Sequence, residues 1–152
     1  MVKAANIRPG KRKPARRAAP VNKSGRRVVS PKIAEPGPGS YSMCKRAGNH
    51  VYISGQLATD NNGKVIGPND AYKQAQAIFR KIKLLMEAAG GTVDDVVKVV
   101  MYTTDMRHQP GIWKARREVF SGDFPTSTLI CISALFSPAL LVEVEAVGYI
   151  DD

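Results

Sequence analysis

Leu141-Val-Glu-Val-Glu-Ala-Val147 alternates apolar and charged residues with a period of two, and it carries the clearest strand signal in this 152-residue chain. Its apolar residues are expected on one face of a β-strand and Glu143 and Glu145 on the other. Two interpretations of the glutamates stay open from the pattern alone. Either both cover a solvated sheet face, or one lies in a cleft, where burial beside a like charge suits a carboxyl group to proton transfer.

The elements upstream of this run predict an α+β fold. Apolar residues recur at intervals of three and four over Asn69–Ala89, which indicates a helix, and Pro110 suits the first turn of a second helix that runs to about Phe120. The β-branched run Asp95–Thr104 predicts a central strand. Ordered structure is expected from near Tyr41, and the other predicted strands are His50–Ser54, Thr126–Ala134 and Leu140–Ile150. The order ββαβαββ predicts a single sheet with two helices packed on one face.

Charge divides the chain into two parts. Residues 1–39 contain eleven Lys and Arg and one acid, Glu35, whereas residues 40–152 contain twelve bases and twelve acids. The whole net charge of +10 therefore lies in a leader rich in Pro and Gly. This composition predicts a disordered basic leader over residues 1–39, followed by one folded domain over residues 40–152.

The basic leader has two interpretations. Either it makes nonspecific, salt-sensitive contacts with nucleic acid or an acidic surface, or it is a solubilising extension or the product of an upstream start codon. The sequence has no apolar run of transmembrane length and no secretory signal, so we expect a cytoplasmic protein without a membrane partner. Cys44 and Cys131 lie far apart without a CxxC motif, so neither a redox motif nor a zinc site is indicated.

Short blocks spread over residues 40–150 support a more specific prediction. They are Tyr41, Ala47-Gly48, Val51-Tyr-Ile-Ser-Gly-Gln56, Met86-Glu-Ala-Ala-Gly90, Asp94-Asp-Val-Val-Lys98, Thr104-Asp-Met106, Phe124-Pro125 and Val142-Glu-Val-Glu-Ala-Val147. In their order and spacing these blocks resemble the Rid family of reactive-intermediate imine deaminases. The resemblance implies a chorismate-mutase-like homotrimer, alone or stacked as a hexamer, with small-molecule clefts between subunits. It also implies hydrolysis of an enamine or imine with release of ammonia, without a metal or an organic cofactor.

The resemblance also implies the site residues. Carried over by position, Glu145 is the acid that handles the attacking water, Tyr41 is the cleft tyrosine, and Ser127 and Thr128 belong to the substrate-binding loop that begins at Pro125. Glu145 is therefore expected to face a cleft. Glu143 is then expected to be solvated or paired at an interface.

Two positions depart from the family pattern. The family carries Pro-x-Arg in this loop, where the arginine holds the substrate carboxylate, but this chain has Pro125-Thr-Ser127. The helix position that the family gives to asparagine is Trp113. Arg116 and Arg117 follow Trp113 by three and four residues, so one of them is expected to supply the missing charge beside the indole.

These departures leave two functions open. A flat aromatic wall suits a planar unsaturated amino diacid such as 2-aminomuconate, an intermediate of aromatic-ring degradation that some relatives deaminate. In the alternative, Trp113 is a trimer-interface anchor and both arginines are solvated. The protein is then a non-catalytic small-molecule-binding member of the family, or an RNA-associated one.

Overall fold

A central strand, β6 (Val142–Tyr149), holds the sheet together in the computed structural model, which describes residues 25–151. It pairs antiparallel with β3 (His50–Leu57) on one side and with β4 (Val96–Thr103) on the other. Alternate β6 residues, from Val142 onward, are buried. The period-two prediction from the sequence is therefore confirmed.

Within residues 25–151 the sheet has six strands in the order β1-β2-β3-β6-β4-β5. The three outer strands are β1 (Arg26–Val28), β2 (Cys44–Ala47) and β5 (Thr126–Cys131). Only the β4–β5 pair is parallel among the described strands, so the sheet is mixed. Strands β3, β4, β5 and β6 agree with the four strands predicted with bounds to within a few residues at their ends.

Two helices cover one face of this sheet, as the sequence predicted. Helix α1 (Ala71–Ala89) begins after Asp70, whose side chain accepts a hydrogen bond from the Lys73 amide, and ends at Gly90 with a φ of 100°. Helix α2 (Gln109–Arg117) is shorter than expected. The core between helices and sheet includes the fully buried Ile78, Phe79, Ile82, Leu85, Met101, Ile112 and Val144.

Strand β1 corrects the predicted start of the domain. Residues 26–28 were assigned to the leader, but they pair with β2, and Val28, Ser30 and Ile33 are buried. The folded domain therefore begins before residue 40. The rest of the predicted leader, residues 1–24, lies outside the described residues. In the part of the chain that the structure describes, neither helix has the length and hydropathy needed to span a bilayer.

Candidate active site

The two glutamates of β6 lie on the sheet face that the helices leave uncovered. On this face Tyr102 of β4 is directly opposite Glu143, and Val100 is opposite Glu145. We call it the open face and define it by Tyr52, Tyr102, Ile130, Glu143 and Glu145. It combines apolar and acidic groups, and Tyr52 and Ile130 are exposed.

Glu143 lies against the backbone of Gly55 in the neighbouring strand. The β3–β6 register shifts between Ile53 and Gln56, so Gly55 lies in an irregularity of β3. A Cβ atom added to Gly55 would lie 1.8 Å from Oε1 of Glu143. Gly55 therefore leaves the space that the Glu143 carboxylate occupies.

The electrostatic setting distinguishes the glutamates. Burial raises the pKa of Glu143 above its usual value, and the charge of Glu145 raises it further. Burial, with the charges of Glu145 and Glu143, also raises the pKa of Tyr102. A carboxyl group with a raised pKa beside a charged partner is a recurrent arrangement for proton transfer.

Glu145 lines a small pocket in the open face. The pocket has a volume of about 170 Å³ and includes Tyr52, Lys98 and Val147. This volume suits a few water molecules and not a large ligand, because one water occupies about 30 Å³ in the liquid. Glu145 therefore faces a concave surface, and the pocket that one chain forms there is smaller than a typical substrate site.

A second cluster forms where α2 approaches β5. The Nη1 atom of Arg116 donates a hydrogen bond to Oγ of Ser127, and the Arg116 guanidinium lies 5.7 Å from the centre of the Trp113 ring. The Nε atom of Arg116 is buried without a hydrogen-bond partner among residues 25–151. Burial, followed by the charge of Arg117, lowers the pKa of Arg116. We call Trp113, Arg116 and Ser127 the Arg116 cluster.

The Arg116 cluster and the glutamates lie on opposite faces of the sheet. Ser127 alternates with Thr128 and shares its face with Leu129, which packs against the core. Glu145, the expected acid, and Glu143 both lie on the open face, two strands away, and two strand spacings are about 10 Å. A single chain therefore does not bring the expected acid and the expected cation together.

The other candidate residues take separate places. Thr128 is opposite Val100 and is therefore on the open face with Glu145. Tyr41 precedes β2 and has 54% of its surface exposed. Arg117 is exposed at the end of α2.

Gly55 and Lys98 lie in blocks that carry the family resemblance, but neither they nor Tyr102 were among the expected catalytic or substrate-binding residues. A glycine inside a strand often marks a bulge or a close backbone approach, so Gly55 carried a usable signal. Tyr102 and Lys98 carried none, because their positions opposite β6 depend on strand order. Within residues 25–151 no group of three or more His, Cys, Asp or Glu side chains is arranged to hold a metal ion.

Comparisons with known proteins agree on one family. A family model described as Endoribonuclease L-PSP matches residues 33–150. The chain is 32% identical over 111 residues to a RutC family protein of Pyrococcus horikoshii. The matched residues cover 73% of this chain and 87% of that protein. It is 32% identical over 130 residues to a Dermatophagoides farinae protein named 2-iminobutanoate/2-iminopropanoate deaminase, covering 84% and 99% of the two chains. The crystal structure of RidA from an Antarctic Psychrobacter matches with a TM-score of 0.73 and 32% identity, over 82% of this chain and 100% of that one.

Proposed function

Because this chain belongs to the Rid family, also described as endoribonuclease L-PSP, we propose that it is a cytoplasmic deaminase that hydrolyses small imines or enamines. The observation that carries the proposal is Glu143, a carboxyl group with a raised pKa held against Gly55 on the open face. The relative named 2-iminobutanoate/2-iminopropanoate deaminase supports the reaction class. The products are ammonia and a carbonyl compound.

Hydrolysis of an imine needs a group that moves protons between water and nitrogen. An enamine first moves one N–H proton to its β-carbon and becomes the imine. Water then adds to the carbon of the C=N bond, a C–O bond forms, and the C–N bond breaks. Both hydrogens of the water end on the departing ammonia, and we assign their transfer to Glu143. The family resemblance implies this role for Glu145, but burial favours Glu143 as the proton carrier and leaves Glu145 as the charge beside it.

We further propose that the complete site forms between copies of the chain. A site that uses both Glu143 and Arg116 requires two chains, because these residues lie on opposite sheet faces. The exposed β5 edge and the apolar part of the open face are surfaces that a homotrimer would cover. Stacking of two trimers would give the hexamer that the resemblance also allows.

For the substrate we propose a planar, unsaturated amino diacid of the 2-aminomuconate type, from aromatic-compound degradation. The Arg116 cluster favours a substrate with an anionic group. Arg116 donates a hydrogen bond to the hydroxyl of Ser127, the position where the family carries its loop arginine. Its Nε–H is buried without a partner among residues 25–151, so a carboxylate that reached it would satisfy this donor. The Trp113 ring offers a flat wall beside it, and we assign to Arg117, whose charge acts on Arg116, a second positive charge for the diacid.

An ammonia-release assay tests this proposal. Wild type, Glu143→Gln and Glu145→Gln are compared on 2-aminomuconate and on 2-iminopropanoate, with the exposed Glu87→Gln as a matched control. Glu143→Gln should lower the rate by ~10²–10⁴, the usual cost of removing a proton-transfer group. Equal rates for wild type and Glu143→Gln would overturn the catalytic role.

The same assay decides between the function classes. If wild type releases ammonia from neither substrate, the alternative is favoured, namely a non-catalytic small-molecule-binding or RNA-associated member of the family. Loss of activity in Glu145→Gln alone would return the proton-carrier role to Glu145. The nucleic-acid contact expected of the leader falls mainly on residues 1–24, outside the described residues, and stays a proposal.

A further inference from the structure

A groove on the outer surface of α1 is separate from both clusters described above. It lies between α1, the segment at Lys32–Ile33, the loop that follows β3, and the end of α2 at Glu118–Val119. We call it the α1 groove. Its volume is about 790 Å³, in the range of small-molecule sites. It shares no lining residue with the open face or with the Arg116 cluster.

The lining of the α1 groove is strongly basic. The five basic residues that line it are Lys32, Lys73, Arg80, Lys81 and Lys83, and the two acidic ones are Asp60 and Glu118. Both acids already accept hydrogen bonds: Asp60 from backbone amides of its own loop, and Glu118 from Tyr72 and Gln76. These hydrogen bonds leave both carboxylates charged, and Asp70 pairs with Lys73 at 3.4 Å. The basic residues still outnumber the acidic ones in the lining, so the groove carries a net positive charge.

Lys81 is the best-defined cation of the α1 groove. Its Nζ atom donates to the Leu57 carbonyl at 2.9 Å and to Oγ1 of Thr59 at 3.2 Å, and both acceptors are neutral. Burial lowers the pKa of Lys81, although the charge of Asp60 acts against this. An ammonium group has three donors, so one N–H stays available. Over residues 25–151, Lys81 and Arg80 form no ion pair within 4.0 Å.

The floor of the α1 groove is apolar. Phe79 and Ile33 are buried beneath it, and Ile66 has 38% of its surface exposed. Leu84 and Val119 are half-buried at its sides. A ligand that fits this lining has both an anionic group and an apolar body.

Two other occupants fit the α1 groove less well. Residues 1–24 contain eight Lys and Arg and no acid, so the positive groove repels them. A nucleic acid would gain from aromatic side chains on which bases stack, but Phe79 is the only aromatic residue in the described lining and it is fully buried. We propose that the α1 groove binds a small organic anion, with its carboxylate or phosphate at Lys81 and Arg80 and its apolar body against Ile66 and Leu84.

Isothermal titration of the full chain with octyl phosphate, octanoate and inorganic phosphate tests the proposal. Octyl phosphate and octanoate should bind at least about tenfold more tightly than inorganic phosphate, because only they cover the apolar floor. Arg80→Glu should weaken the binding of octyl phosphate by at least about tenfold. Lys81→Met should also weaken the binding of octyl phosphate by at least about tenfold, and it tests the contribution of the Lys81 ammonium group. Lys81→Met also removes the hydrogen bond to the Leu57 carbonyl and so changes a contact within the fold. Arg80 is exposed, so Arg80→Glu tests the binding without that change.

Arg107→Glu is the matched control, because it makes the same change of charge at an exposed arginine outside the groove and outside the candidate active site, and it should leave the affinity unchanged. Absence of octyl phosphate binding at millimolar concentration would overturn the proposal. Equal weakening in Arg107→Glu would also overturn it, because the attraction would then be nonspecific. If a short oligouridylate bound more tightly than octyl phosphate and lost affinity in Arg80→Glu, the groove would be a nucleic-acid site instead.

Discussion

Glu143 depends on the absence of a side chain at Gly55. The carboxylate occupies the space where a Cβ atom of residue 55 would be, and burial there raises the pKa of Glu143. The close approach, and not backbone strain, explains the glycine, because Gly55 is not among the residues with positive φ. One small residue thus sets the environment of the proposed proton carrier.

Gly55→Ala should therefore displace Glu143 and lower deaminase activity by about tenfold or more, toward the loss expected for Glu143→Gln. The chain should still fold, because the clashing atom is the end of a flexible side chain. The measurement is the ammonia-release rate together with the melting temperature. Gly37→Ala is the matched control, since a Cβ atom there meets nothing within 4 Å. Full activity in Gly55→Ala would show that the position of Glu143 is unimportant.

The raised pKa of Glu143 also predicts a pH dependence of stability. A carboxyl group whose folded-state pKa is raised binds its proton more tightly when folded, so its contribution is present at low pH and is lost as the pH rises through that pKa. Glu143→Gln removes this loss. The melting temperature of Glu143→Gln relative to wild type should therefore be higher at pH 7 than at pH 4. A difference that does not change with pH would contradict the raised pKa.

At the scale of elements, β1 joins residues of the expected leader to both the sheet and α1. Its Val28 is buried, and the Arg26 side chain donates to the carbonyl of Ala89 at the end of α1, as does Arg46 of β2. Cations are favourable at this end of a helix because they complement its dipole. The strand could not be predicted from the sequence, because β1 has only three residues, two of them arginines. It is too short to show the apolar alternation that indicates a strand.

Deletion of residues 1–38 should consequently destabilise the domain, whereas deletion of residues 1–24 should not. Loss of Val28 and Ile33 removes two buried apolar side chains, each worth about 1.5–3 kcal/mol of burial. Urea unfolding of the two truncated chains measures the difference. Equal midpoints would mean that β1 contributes nothing to stability.

At the scale of the whole molecule, the separation of Arg116 from Glu143 gives a test of assembly. If the site forms between copies, an inactive Arg116→Ala chain and an inactive Glu143→Gln chain should together form some intact sites. Mixing them under conditions that exchange subunits should restore a fraction of activity, roughly a quarter of wild type for random pairing of one acid and one cation per site. Light scattering measures the oligomer in parallel. No recovery in mixed oligomers, or a stable monomer with full activity, would contradict the proposed intersubunit site.

The sequence alone determined the α+β class, both helices and most strands, because these depend on local periodicity. The alternation in Val142–Tyr149 is visible in one stretch of chain, and so is the stripe of apolar residues in α1. Only the tertiary structure shows that the Glu143 carboxylate lies against Gly55 and that Arg116 donates a hydrogen bond to Ser127. It also shows that these two pairs lie on opposite faces of the sheet. Each of these facts depends on strand order, a register shift or helix placement. All three join residues distant in sequence, so no local pattern records them.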